Sequence, residues 1–206
     1  MKKSNFEISG VFPVPVLHTS LDRDFTEEEL KFAKNQLNDS NDNIGNNTSK
    51  NNYILEHEKM KGIKLFIEEG IQTYVDNIIC PKDDTQVYIT QSWINYNNEN
   101  QYHHSHTHSN SYISGVFYFI ADENFDSINF SNRNYSLINP VIKDFNIWNS
   151  QDWWFSVHSK KLILFPSSTT HNVFQKKDNN IRISLAFNTF VKGTIGSNLK
   201  LSELKL

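Results

Sequence analysis

The rhythm of apolar and polar positions changes once along this chain, near Thr85. Before it, two stretches repeat at helical spacing. Leu30, Ala33 and Leu37 predict a helix over Glu27–Leu37. Thr26 and Glu29 have the spacing of a capping box, and Phe25 and Leu30 that of a hydrophobic staple. Met60, Ile63, Phe66, Ile67, Ile71, Tyr74 and Ile78 predict a second helix over Glu56–Ile79, weakened modestly by Gly62 and Gly70. Ile8–Leu17 is expected to be extended, because Pro13 and Pro15 do not fit a helix. The polar run Asn38–Asn52, rich in Asn, Asp and Ser around Gly45, reads as a mobile surface loop. Pro81-Lys82-Asp83-Asp84 ends the helical part.

After Thr85 come short runs dense in β-branched and aromatic residues: Gln86–Tyr96, Tyr112–Ala121, Ser127–Phe130, Trp154–Val157, Leu162–Phe165, Asn172–Gln175 and Ile181–Val191. Polar turns separate them. Two helices followed by many short strands predict an α+β, mainly β domain, with a β-sandwich or jelly-roll core (residues 85–192) braced by the N-terminal helices (residues 1–84). Residues 193–206 read as a tail whose Leu199, Leu201 and Leu204 suggest docking on the body or on a second copy in a homodimer.

Composition narrows the function classes. A length of 206 residues suits one domain with a sizeable core, and 13% aromatics make that core rich in rings. A net charge of −3 without a basic stripe argues against a nucleic-acid binder. The single cysteine, Cys80, excludes an intramolecular disulfide and a cysteine-based zinc cage. No signal peptide is visible from Met1 through Ile8 and no apolar stretch spans a bilayer, so the expectation is a cytoplasmic protein without membrane contact.

The chemistry centres on histidine. His106 and His108 are two apart, and side chains two apart on a strand share a face. His104 has the same parity and His103 the opposite one. His171 opens a later strand after Pro166 and could close a three-nitrogen metal site. In Arg182–Asn188 the apolar Ile183, Leu185 and Phe187 alternate with Arg182, Ser184, Ala186 and Asn188. One face therefore packs while the other offers a guanidinium, suited to two parallel hydrogen bonds with a carboxylate, and a neighbouring hydroxyl. On the strand before the histidines, Tyr96 has one parity and Trp93 and Asn95 the other; either set could line a pocket.

Several motifs carry a resemblance: Phe12-Pro13-Val14-Pro15, Ser92-Trp93-Ile94-Asn95, His106-Thr107-His108 leading into Ile113–Tyr118, Leu164-Phe165-Pro166 to His171, and Arg182-Ile183-Ser184 with Phe187-Asn188. The chain resembles the 2-oxoglutarate/Fe(II)-dependent oxygenases, more narrowly a small prolyl-hydroxylase-like family of marine bacteria and phages. The resemblance implies a double-stranded β-helix (cupin-like) fold and Fe(II) held by His106, His108 and His171. It also implies 2-oxoglutarate bound by Arg182 and Ser184, with Asn95 and Tyr96 beside them. The implied activity is hydroxylation of a small molecule or peptide, with release of succinate and CO2. The wider superfamily has an acidic residue where this chain has His108. A cupin-like three-histidine enzyme that does not use 2-oxoglutarate, and a non-enzymatic jelly-roll module, are the alternatives. Arg182-x-Ser184 speaks against the first, and metal content would separate the second.

Overall fold

The computed structural model describes residues 7–82, 84–132 and 140–206. In chain order the elements are β1 (Leu17–Ser20), α1 (Glu27–Asn35), β2 (Ser40–Asn43), β3 (Asn46–Ser49), α2 (Lys61–Tyr74), β4 (Gln86–Asn97), β5 (His103–His106), β6 (Ile113–Ile120) and β7 (Ser127–Ser131). They continue with β8 (Asp152–Ser156), β9 (Lys161–Pro166), β10 (Thr170–Val173), β11 (Arg182–Lys192), β12 (Thr194–Ile195) and β13 (Leu204–Lys205). A seven-stranded sheet runs β1-β9-β6-β11-β4-β3-β2, and a four-stranded sheet runs β5-β10-β7-β8. Every strand pair in both is antiparallel. This is the expected mainly-β jelly roll of double-stranded β-helix type with two helices.

The large sheet is apolar on both faces, which gives two cores. Tyr118, Ile128, Phe130, Val157, Ile163 and Phe165 form one cluster, drawing on both sheets. Ile94, Tyr96, Phe117, Leu162, Leu164, Leu185 and Phe187 on the strands pack with Ala33, Ile63, Ile67 and Ile71 of the helices in the other. Burying a large aliphatic side chain is worth about 1.5–3 kcal/mol, so these contacts fix the helix layer to one face of the large sheet.

The capping box at α1 is present: Glu29 N–H donates to Thr26 Oγ1 (3.1 Å) and Thr26 N–H to Glu29 Oε2 (2.9 Å). The long helix expected over Glu56–Ile79 is divided. Two 3-10 turns, Ile54–Glu56 and Glu58–Met60, precede α2, and a wider π turn, Val75–Ile79, follows it. The π turn takes one residue more per turn, which rotates Ile78 off the stripe and leaves it 41% exposed.

The Asn38–Asn52 run is a hairpin and not a loop. β2 pairs with β3, and β3 continues the large sheet at Asn47↔Tyr96 and Thr48↔Asn95 of β4. Gly45 turns the hairpin at φ +87°, and a Cβ there would meet the Tyr102 carbonyl at 2.8 Å. Side-chain hydrogen bonds replace apolar packing: Ile94 N–H donates to Ser49 Oγ (3.0 Å) and Asn46 Nδ2 to Asn95 Oδ1 (3.4 Å). The tail makes a small β12–β13 hairpin. Leu199 and Leu201 are 95% and 96% exposed, so they do not dock on this chain's body as one expectation had it. Among the described residues no helix is long and apolar enough to cross a membrane. The residues Met1 to Phe6 behind the leader reading, and Asp83 of the helix-ending run, lie outside the described residues.

Candidate metal centre

β10 brings His171 directly opposite His106 on β5. His108 lies two residues beyond β5, held by its N–H to the Ser167 carbonyl (3.0 Å). The three imidazoles converge: one nitrogen of each lies within 4.8 Å of the others, and His108 Nε2 and His171 Nε2 are 3.3 Å apart. Two nitrogens each about 2.1 Å from one ion would be 3.3 Å apart at an angle of about 100°. The donor set thus fits a transition metal bound on one face.

Backbone carbonyls set the tautomers. His106 Nδ1 is 2.8 Å from the His104 carbonyl and His171 Nδ1 is 3.0 Å from the Thr169 carbonyl. A carbonyl only accepts, so each Nδ1 carries the hydrogen and each Nε2 keeps its lone pair for a ligand. Phe165 packs edge-on to His171 at 4.7 Å, and Trp93 lies 6.0 Å from His108. Burial first, then neighbouring imidazoles, holds His171 down to about 3 and His108 down to about 4; His106 is lowered too, chiefly by burial. All three are therefore neutral, ligand-ready imidazoles at neutral pH.

A polar row on the large sheet's inner face leads away from the triad. Across the β4–β11 ladder, Asn97 faces Arg182, Asn95 faces Ser184 and Trp93 faces Ala186; Tyr118 of β6 faces Ser184 from the other side. Arg182 is 3% exposed. Burial works against its charge, while Tyr118, Asp126 and Asp178 favour it. Asp126 Oδ1 stands 3.7 Å from Arg182 Nη1 and 3.3 Å from Lys176 Nζ, which also pairs with Asp178. Two buried cations thus face two carboxylates. Among the described residues, Nε of Arg182 and both polar atoms of the Asn97 amide have no hydrogen-bond partner.

The structure brings together His106, His108 and His171, and separately places Arg182, Ser184 and Asn95 in one row. It corrects Tyr96. That side chain lies on the opposite face, fully buried among the helix-side core, and its hydroxyl donates to the Ala33 carbonyl of α1 (2.5 Å). Strand alternation puts it there: Asn95 facing the site requires Tyr96 to face away. His103 is corrected in the other direction. Between His171↔His106 and Val173↔His103, β5 holds one residue more than β10, a bulge that reverses parity. His103 stacks on His106 at 4.6 Å, and burial together with His106, His104, His171 and Arg182 holds it down to about 3. It links the triad electrostatically to the arginine. His104, of the same parity as the pair in sequence, groups with His103 and His106 but not with His108 and His171. His18 packs on Phe155 at 4.3 Å. Between β4 and β5, Asn97–Tyr102 is a turn tied down by Asn100 N–H to the Lys176 carbonyl (2.8 Å).

Residues 91–188 match the model of a family described as "Putative 2OG-Fe(II) oxygenase". That span takes in the three histidines, Asn95, Arg182 and Ser184. No curated protein matches. Solved structures are similar in fold. HygX from Streptomyces hygroscopicus, with nickel, 2-oxoglutarate and hygromycin B bound, is 10% identical over 86% of this chain and 83% of that chain (TM-score 0.58). The alpha ketoglutarate dependent epimerase SnoN from nogalamycin biosynthesis is 11% identical over 86% and 76% (TM-score 0.60). A Pseudomonas putida prolyl-4-hydroxylase is 10% identical over 85% and 92% (TM-score 0.53).

Proposed function

We propose, from the match of residues 91–188 to the model of a 2OG-Fe(II) oxygenase family, that the protein is an Fe(II)- and 2-oxoglutarate-dependent dioxygenase hydroxylating a small-molecule or peptide substrate. In the balanced reaction one atom of O2 enters a C–H bond of the substrate, and the other enters the succinate formed as 2-oxoglutarate loses CO2. The observation that carries this reading is the convergence of His106, His108 and His171, with Arg182 and Ser184 in a separate buried row on β11.

His106, His108 and His171 would hold the metal through neutral nitrogens. Bound Fe(II) supplies the oxygen-activating redox chemistry, which no side chain here can. Arg182 and Ser184 would bind the far carboxylate of 2-oxoglutarate, the guanidinium through its planar fork and the hydroxyl through one further hydrogen bond, with Asn95 beside them. Ala186 leaves room next to Trp93, and Phe165 packs against the His171 ring. Three neutral imidazoles add no negative charge of their own. The co-substrate's anionic end must therefore compensate more of the ion's charge than where one ligand is a carboxylate.

Anaerobic addition of 2-oxoglutarate to the Fe(II)-loaded protein tests this. A visible charge-transfer band saturating at one equivalent is expected. Bound iron with no such band would reject the assignment and favour a three-histidine enzyme that does not use 2-oxoglutarate.

A further inference from the structure

We propose that Asn97 recognises the far carboxylate of the co-substrate together with Arg182, an inference that rests on the function proposed above. Asn97 is the cross-strand partner of Arg182 and shares its face of the sheet. Its side chain is almost wholly buried, at 1% exposure, yet neither amide atom has a hydrogen-bond partner among the described residues. The Nε of Arg182 is equally without one. Buried amides are nearly always paired, and one left open beside an open guanidinium edge marks the place of a missing partner.

The neighbours narrow what that partner is. Asn95, the other asparagine of the row, already accepts from Asn46 Nδ2 (3.4 Å). Asp126 is held by Lys176 (3.3 Å) and by the N–H of Asp122 (2.9 Å), and its approach to Arg182 is on the Nη1 side, leaving the Nε edge open. Among the described residues, the groups without partners on these two cross-strand neighbours are thus one guanidinium N–H and the Asn97 amide, whose Nδ2 donates and whose Oδ1 accepts. A carboxylate has two acceptor oxygens and can take one from each. A neutral group would leave the open guanidinium edge without its charge-assisted partner.

Calorimetric titration of two acids into Mn(II)-loaded protein, which does not turn over, tests the assignment. 2-Oxoglutarate and 2-oxopentanoate share the chelating head; only the first has the far carboxylate. Wild type should prefer 2-oxoglutarate. Asn97→Ala should weaken 2-oxoglutarate on the order of 10- to 100-fold, the worth of a hydrogen bond to a charged group, and leave 2-oxopentanoate unchanged. Asn97→Asp, almost identical in shape, should weaken 2-oxoglutarate further, because its own carboxylate opposes the ligand's and pairs with Arg182. Two folded variants that keep the wild-type preference would overturn the proposal, as would equal weakening of both acids, which marks a purely structural role. If wild-type protein itself has no preference, the co-substrate reading fails first and this inference falls with it.

Discussion

Metal-free protein should lose stability as pH falls from 7.5 to 5.5, far more than a domain of this charge otherwise would. The cause is the histidine group. In the folded chain His103 and His171 are held down to about 3 and His108 to about 4, through burial and through one another. In the unfolded chain each titrates near 6.5. The unfolded state therefore binds protons more readily. No stability is lost above the unfolded value; the loss grows as pH falls through 6.5 and levels off only near the folded values. At pH 5.5 each such group costs about 1.4 kcal/mol, from RT ln(1 + 10), so the three together cost roughly 4 kcal/mol. At about 2–4 °C per kcal/mol for a domain of this size, the melting temperature should drop by roughly 8–16 °C. Glu29 and Asp178, whose carboxyls are held below their ordinary values, lose their contribution only at more acid pH. Thermal melts of chelator-treated protein at the two pH values measure the drop. A variant with Gln at His103, His108 and His171 should flatten it. Saturating Zn(II) should raise the melting temperature at pH 5.5 at least as much as at pH 7.5, since the folded ligands are free of protons at both values while protons block metal binding by the unfolded chain. A metal-free melting temperature that moves by less than about 2 °C, or a variant that keeps the full slope, would refute the reasoning.

Tyr96→Phe removes the hydroxyl that pairs with the Ala33 carbonyl and should cost roughly 1–3 kcal/mol in urea unfolding while leaving 2-oxoglutarate affinity unchanged; a selective loss of affinity would return Tyr96 to the site. Gly115→Ala places a methyl 2.2 Å from Phe187 Cζ and 2.6 Å from Leu164 Cδ2, so overpacking should destabilise by about 1–3 kcal/mol, seen as a lower denaturation midpoint. Asp126→Asn leaves Lys176 and Arg182 with one carboxylate between them and should cost about 3–5 kcal/mol; an unchanged unfolding curve would show that the pairing carries no weight.

The strands with strong apolar content were legible because burial writes itself into residue type. Leu162–Phe165 lies within β9 and Ile113–Ile120 falls within its predicted run. The capping box at Thr26 was legible because it is local. The β2–β3 hairpin was not. Its strands read Ser-Asn-Asp-Asn and Asn-Asn-Thr-Ser, and what holds them is side-chain hydrogen bonding to β4, which leaves no alternation to detect. The parity rule chose Asn95 for the inner row but gave no means of choosing between the two faces, so Tyr96 was carried along with it. For His103 the same rule misled, because a single extra residue in β5 turns the alternation over. Asn97 carries no motif. Its signal is an unpaired amide, visible only once its neighbours are placed.

The outermost strand of the large sheet, β2, is only four residues long and carries Asn41, Asp42 and Asn43. A sheet rim of this kind is a poor template: an incoming chain finds few free backbone groups, a negative charge and no apolar side chains to grip. Concentrated preparations should therefore resist growth by edge-to-edge strand addition along that rim, whatever surfaces elsewhere govern self-association.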